Sequence, residues 1–264
     1  MLLQRVLSAA VLVPLVMAAA ALGGPWFLGL VAIATMVATW EFYGLLRRAG
    51  YSPLWPVGLA LALAFLLDPY LLPGKIAPAA LALALTLSLA YLVVLQRLDL
   101  RIQDWAVSWV PPLYVGFLAS FMIALRLLPS GAFWIYLVAA VTWATDVGAY
   151  LVGTSMGRRK FFSAVSPRKT QEGAVGGVVA GVGASVLLAW AFGWPTAPLA
   201  AFGLVGSVVA EVGDLAESLI KRQLQAKDAS SLIPGHGGLL DRMDSLLFVG
   251  VLAYYWALWM GSLP

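Results

Sequence analysis

The sequence predicts an all-α, polytopic membrane protein with about nine transmembrane helices, and three observations carry that expectation. Hydrophobic residues make up 62% of the 264-residue chain and charged residues only 11%, against about 25% charged in an ordinary soluble domain. Apolar stretches suited to a ~30 Å hydrocarbon core recur from one end to the other. Lys and Arg collect in alternate connections between those stretches, as the positive-inside rule requires. Residues 1–264 read as a single integral membrane domain, with N-terminal helices in 1–130 and the helices and loops that carry chemistry in 131–264.

Polar, Pro and Gly punctuation divides the apolar sequence into spans 6–22, 26–46, 57–72, 77–95, 106–128, 132–153, 174–193, 198–212 and 246–262. Gly23-Gly24-Pro25 separates the first two, and Arg47-Arg48 with the prolines at 53 and 56 the next pair. Pro73-Gly74-Lys75, the charged run around Arg97 to Arg101, and Pro129-Ser130-Gly131 follow. Span 57–72 is short for a bilayer, which tilt or local thinning accommodates. Span 198–212 is also short, but its helix can continue through the amphipathic stretch to Arg222. The first span also resembles a signal peptide, since Arg5 precedes an apolar run ending in small residues near Ala20 to Gly24.

Nine spans place the termini on opposite sides. With the N-terminus inside, fourteen of the sixteen Lys and Arg residues fall on the cytoplasmic side and only Lys75 and Arg126 on or near the other. The two long polar connections, 154–173 and 213–245, both fall inside. Long polar loops in an otherwise minimal chain point to function. The absence of Cys excludes disulfides, thiolate metal sites and thiol nucleophiles. A net charge of +4 suits anionic partners such as headgroups or nucleotides, and no nucleic acid partner is expected.

Eight of the twelve acidic residues lie between Asp146 and Asp244, interspersed with most of the basic ones. The positive-inside rule needs only Lys and Arg, so these carboxylates require their own explanation. In Glu211-Val-Gly-Asp214-Leu-Ala-Glu217-Ser218-Leu-Ile-Lys221-Arg222, helical spacing puts Asp214, Glu217, Ser218 and Lys221 on one face. A solvated face with intrahelical ion pairs is the plain alternative. Downstream, Pro234-Gly-His236-Gly237-Gly238 forms an irregular loop opening a helix with Asp241, Asp244 and Ser245. Its glycines let backbone N–H groups approach an anion, and carboxylates three residues apart suit a hard cation carrying phosphates. Asp146 lies inside a span, where a carboxylate costs ~2.5–3.5 kcal/mol on insertion scales and marks function by default. Ser166-Pro-Arg-Lys169-Thr170 is rich in phosphate donors, and equally suits a basic membrane-surface patch.

Taken together, Gly-Asp-Leu-x-Glu-Ser-x-x-Lys-Arg, Lys-Asp, Pro-Gly-His-Gly-Gly and Leu-Asp-Arg-x-Asp-Ser over 213–245 resemble the signature of bacterial phosphatidate cytidylyltransferases. Asp146-x-Gly-Ala-Tyr and Ser-Pro-x-Lys-Thr resemble the same family's preceding motifs, so the likeness covers roughly 142–250. Gln171 departs from it, standing where an aromatic residue is more usual. The resemblance implies transfer of a cytidylyl group from CTP or dCTP to phosphatidate, giving CDP-diacylglycerol and pyrophosphate in phospholipid biosynthesis. It implies a homodimer in the bacterial inner (cell) membrane, with the active site on the cytoplasmic side, and Mg2+ with or without K+. The metal residues it implies are Asp214, Asp241 and Asp244, with Asp146 nearby.

On this reading Lys221, Arg222 and Arg242 contact phosphates, and Ser166, Lys169, Thr170, Gly237 and Gly238 contact nucleotide or lipid phosphate. His236 is a candidate base, better suited to hydrogen bonding within the loop. Glu217 and Asp228 are expected as supporting ion-pair partners, and Glu41 as an interfacial ion pair with Arg47. A secondary transporter would show inverted repeats and midplane helix breaks, which the sequence lacks. A CTP-dependent lipid kinase shares membrane, nucleotide and metal, and differs in its products.

Overall fold

The computed structural model describes residues 2–94, 101–232 and 237–261, with side chains from residue 10 onward. His236 and Arg97 lie outside the described residues. Apart from isolated bridge residues, Lys160 paired with Thr170 and Gly237, every regular element among them is helical. Among the described residues, seven helices are long and apolar enough to cross a membrane, and two shorter apolar helices, Ala10–Leu22 and Trp55–Leu71, accompany them. The protein is an all-α multi-pass membrane protein. The described chain forms two compact units, Met1–Leu127 with Gln223–Asp241, and Leu128–Arg222 with Arg242–Pro264.

Unit 1 contains α1 (Leu2–Leu22), α2 (Gly24–Arg48), α3 (Trp55–Leu71), α4 (Ile76–Val94), α5 (Ile102–Val107) and α6 (Leu118–Leu127). Pro25 and Pro56 sit in the first turns of α2 and α3, where the missing N–H leaves nothing unpaired. α3 is the hub, packing against α2, α4 and α6. Phe42, Tyr43, Leu61, Phe65, Leu66, Val115, Ile123 and Leu125 form the core. α4 buries only Ser88 and leaves Leu83, Leu87, Val93 and Val94 exposed, a surface suited to lipid rather than water.

Between α5 and α6 the chain winds as a π-helix over Pro112–Phe117. Pro112 has no N–H to give to the carbonyl of Ser108, and the Tyr43 hydroxyl donates to that carbonyl at 2.6 Å. Ser108 Oγ in turn accepts from Leu54 N at 2.7 Å. The backbone group freed by proline is thus satisfied from inside the protein, as hydrocarbon requires.

Unit 2 contains α7 (Gly131–Ser155), α8 (Gln171–Ala191), α9 (Thr196–Gln223) and most of α10 (Leu240–Gly261). The continuation of α9 past its apolar part to Arg222, expected from the sequence, is present. Small residues set the spacing. A Cβ on Gly148 of α7 would lie 2.7 Å from the carbonyl oxygen of Gly176, and one on Gly177 of α8 would lie 2.9 Å from that of Thr145. Where apolar burial does not drive association, such close backbone approach supplies the packing. Thr145 Oγ1 and Ser207 Oγ are hydrogen bonded at 2.9 Å, joining α7 to α9. Near the N-terminus of α7, Phe133 stacks on Trp194 with ring centroids 4.5 Å apart.

In unit 1 a close backbone crossing puts Gly116 against α3, where a Cβ would meet Ala62 Cα at 2.7 Å. Backbone cannot yield as a side chain can. Gly116→Ala is therefore expected to destabilise the protein by about 1–3 kcal/mol, read as a lower thermal unfolding midpoint in detergent. An unchanged midpoint would show that this crossing tolerates a methyl group.

Candidate active site

The acidic residues of unit 2 converge because three helices and one loop bring them together. Asp146 lies on α7 about 14 Å along the axis from its end at Ser155, at 1.5 Å per residue. Asp214 and Glu211 lie in the later half of α9, and Asp244 near the start of α10. The crossing is close at Gly213, where a Cβ would stand 3.0 Å from the Asp244 carbonyl oxygen. Asp146 interacts electrostatically with Asp214, Lys169 and Arg242, and Asp244 with Asp214, Asp146 and Lys221. Glu211 joins them through Lys169, Asp146 and Asp214, and its Oε1 is buried with no hydrogen-bond partner. The sequence placed Glu211 in the motif without giving it a role.

Lys169 donates to Asp214 Oδ2 at 2.6 Å, linking the α7–α8 loop to α9. That loop is held by several bonds. Glu172 accepts from the backbone N–H groups of Arg158 at 3.0 Å and Arg159 at 3.1 Å. Phe161 N donates to Lys169 O at 3.1 Å and Gln171 N to Arg159 O at 2.9 Å, while Lys169 N closes a turn onto Ser166 O at 3.2 Å. The Thr170 hydroxyl accepts from Gly173 N at 3.1 Å and caps α8. Its presence in the motif thus has a local structural reason. Arg222 Nε donates to Val165 O at 3.4 Å, so the end of α9 lies beside the same loop. Lys221 is ion-paired with Glu217, one turn away and buried, as the supporting role expected of Glu217 required.

The described residues of the Gly-rich segment, Gly237 and Gly238, belong to unit 1. Asp241 Oδ2 accepts from Gly238 N at 2.7 Å and Ala229 N at 3.0 Å, and Oδ1 receives the longer 3.3 Å contact from Ala229 N. Gly237 has a φ of +83°, which favours glycine. A Cβ there would lie 2.8 Å from Asp241 Oδ2, and one on Gly238 would lie 2.7 Å from Glu41 Oε2. These glycines make room for carboxylates of the protein itself, a reason the sequence reading did not contain. Nor does Glu41 pair with Arg47. Arg47 lies 4.4 Å from the centroid of the Trp40 ring, while buried Glu41 accepts from Ser230 Oγ at 2.5 Å and Leu240 N at 2.8 Å. The expected interfacial pair is therefore corrected: a carboxylate 189 residues away in sequence holds the motif segment. Only three-dimensional packing could reveal that.

A hard cation is tested by its donors. Among the described residues no three His, Asp or Glu side chains form a metal-sized group. Mg2+ usually takes one or two carboxylates and completes its shell with water and substrate phosphates. Asp214 and Asp244, both all-oxygen donors in unit 2, fit that requirement.

The cytidylyltransferase family model matches residues 3–259. The chain belongs to the cytidylyltransferase family. Among cytidylyltransferase relatives, the phosphatidate cytidylyltransferase of Synechocystis sp. is 33% identical, over 96% of this chain and 95% of its own. That of Bacillus subtilis is 40% identical over 54% of each chain. Phosphatidate cytidylyltransferase 5, chloroplastic, of Arabidopsis thaliana is 32% identical over 88% of this chain and 66% of its own. The likeness extends well beyond the C-terminal half in which the motifs lie, into α2, which carries Glu41 and Tyr43.

Thr170→Ala is expected to lower stability by about 1 kcal/mol through loss of the cap, with Thr170→Ser restoring it, both read by thermal unfolding in detergent. An Ala variant as stable as the wild type would remove the capping role.

Proposed function

We propose that this protein is a phosphatidate cytidylyltransferase that joins a phosphatidate phosphate oxygen to the α-phosphorus of CTP. The new Pα–O bond forms as the bond from Pα to the bridging oxygen of the β-phosphate breaks, and pyrophosphate leaves with that electron pair. The observation that carries this reading is the convergence in unit 2 of Asp146, Asp214 and Asp244 with Lys169, Lys221 and Arg242, in a chain of this family. Its relatives' names supply the substrate.

Both reactants are polyanions, so the site must first cancel their repulsion. Lys169 and Arg242 are proposed to contact phosphate oxygens, in a place where preorganised positive charge favours the transition state most. Asp214 already holds Lys169 at 2.6 Å, which fixes the ammonium before substrate arrives. Lys221, held by Glu217, adds positive charge near Asp244, and Arg222 and Ser166 are proposed to flank the entering headgroup.

Asp214 and Asp244 would hold Mg2+, which supplies charge neutralisation at the α-phosphate and the leaving group when bound. Asp241 is proposed as a further metal residue. A phosphomonoester has a second pKa near ~6, so its attacking oxygen is largely ionised already and no general base is needed. His236 is accordingly proposed as a hydrogen-bonding residue rather than a base. The lipid chains stay in the bilayer, since each exposed CH2 costs ~0.8 kcal/mol. The headgroup and CTP then meet at a membrane surface, and the Lys and Arg distribution favours the cytoplasmic one.

The test is incubation of purified protein with phosphatidate, α-labelled CTP and Mg2+, with and without K+. Label is expected in the lipid phase together with stoichiometric pyrophosphate, and only when phosphatidate and Mg2+ are both present. Asp214→Asn is expected to lower kcat at least 100-fold, about 2.7 kcal/mol of transition-state stabilisation, in protein that remains folded. Folded wild-type protein that releases CDP and leaves the lipid unlabelled would replace this reading with a lipid kinase.

A further inference from the structure

Within unit 1, one stripe of α2 holds described residues of the motif segment. Glu41 and Arg48 are seven residues apart, two helical turns, and so share a face. Glu41 is 6% exposed and uses both oxygens on the segment, accepting from Ser230 Oγ at 2.5 Å and from Leu240 N at 2.8 Å. Arg48 donates to the Ala229 carbonyl and, through Nε, to Gly44 O at 3.2 Å on its own helix. Ala229 is therefore gripped at both backbone groups, its carbonyl by Arg48 and its N–H by Asp241. Gly238 fits against Glu41 Oε2 with no room for a Cβ.

These contacts bear on the proposed reaction because the segment they hold carries Gly237, Gly238 and Asp241. A buried carboxylate is costly to keep unless its oxygens are satisfied, and a lipid-facing helix has no need of one. Glu41 is satisfied by this segment, so folding of the segment and burial of Glu41 depend on each other. Residues that act through such a shared unit show strongly non-additive effects when removed.

We propose that Glu41 and Arg48 of α2 are positioning residues that hold Ala229, Ser230, Gly238, Leu240 and, through them, Asp241 in place for nucleotide and metal binding. The proposal rests on the cytidylyltransferase reading for its kinetic half, and on the α2 contacts alone for its structural half. Removing Glu41 loosens the amide of Leu240 and the hydroxyl of Ser230 together, and shifts Asp241 with the segment that it closes. The lipid substrate is predicted to be indifferent to this change.

Two measurements on the full-length protein in detergent decide it. The first, hydrogen exchange without substrate, compares wild type with Glu41→Ala. The amides of Ala229, Gly238 and Leu240 are expected to exchange at least 10-fold faster in the variant, while those of the α3–α4 turn are unchanged. Unchanged exchange at the three amides would overturn the anchoring, whether or not the protein transfers cytidylyl groups.

The second is steady-state kinetics in the label-transfer assay. Glu41→Ala and Arg48→Ala are expected to raise KM for CTP and the Mg2+ requirement at least 10-fold, with KM for phosphatidate within 2-fold. Glu41→Gln, which keeps an acceptor for Leu240 N, should recover most of that loss. The comparison is Asp68→Ala, which strips the amides of Gly74, Ile76 and Ala77 from a turn at the other end of α3. It should lower stability without separating the two KM values. Equal changes in both KM values for Glu41→Ala, or additive effects of Glu41→Ala and Ser230→Ala, would overturn the positioning role. An inactive wild type would instead sink the cytidylyl reading, leaving the exchange result to stand by itself.

Discussion

Hydrocarbon offers no hydrogen bonds, and nearly every polar feature of this chain follows from that constraint. Pro112 would leave the Ser108 carbonyl unpaired in lipid, and Tyr43 is buried in α2 where its hydroxyl can reach it. Thr145 and Ser207 satisfy each other between α7 and α9. Glu41, a carboxylate on a largely apolar helix, is tolerable because Ser230 and Leu240 donate to it. The same rule that limits polar groups therefore dictates where segments distant in sequence must meet.

The motif carboxylates divide into two kinds under that rule. Asp241 and Glu41 are occupied by backbone amides and a hydroxyl, and their effect is to shape the segment around Gly237 and Gly238. Asp146, Glu211, Asp214 and Asp244 instead face one another with Lys169 and Lys221 among them. Mutual repulsion of like charges is a cost that folding does not require, and a bound cation would relieve it. The proposed chemistry is assigned mainly to the second kind. Small residues make both arrangements possible: Gly213 lets α9 approach α10 near Asp244, and Gly238 admits Glu41.

Much of this was legible in the sequence because its signals are local. Apolar length gave the helices, including the extension of α9 to Arg222, since hydropathy and helical spacing need no partner to be read. The motif spacing placed Asp214, Glu217 and Lys221 on one face, and the Glu217–Lys221 pair is present. Thr170, singled out for substrate, has a hydroxyl that caps α8. Ser, Thr and Gly serve caps, close packing and anion binding with the same atoms, and only neighbours distinguish these uses.

By itself, the sequence determined an all-helical membrane chain of the cytidylyltransferase family with its charged chemistry confined to a few segments, because composition, periodicity and motif spacing are properties of the chain alone. Tertiary structure decided that Lys169 pairs with Asp214 and that Glu211 lies among the motif carboxylates. It also decided that Glu41 turns from Arg47 to Ser230 and Leu240. Each of those choices depends on which buried polar group finds a partner, and that is settled only when helices far apart in sequence pack together.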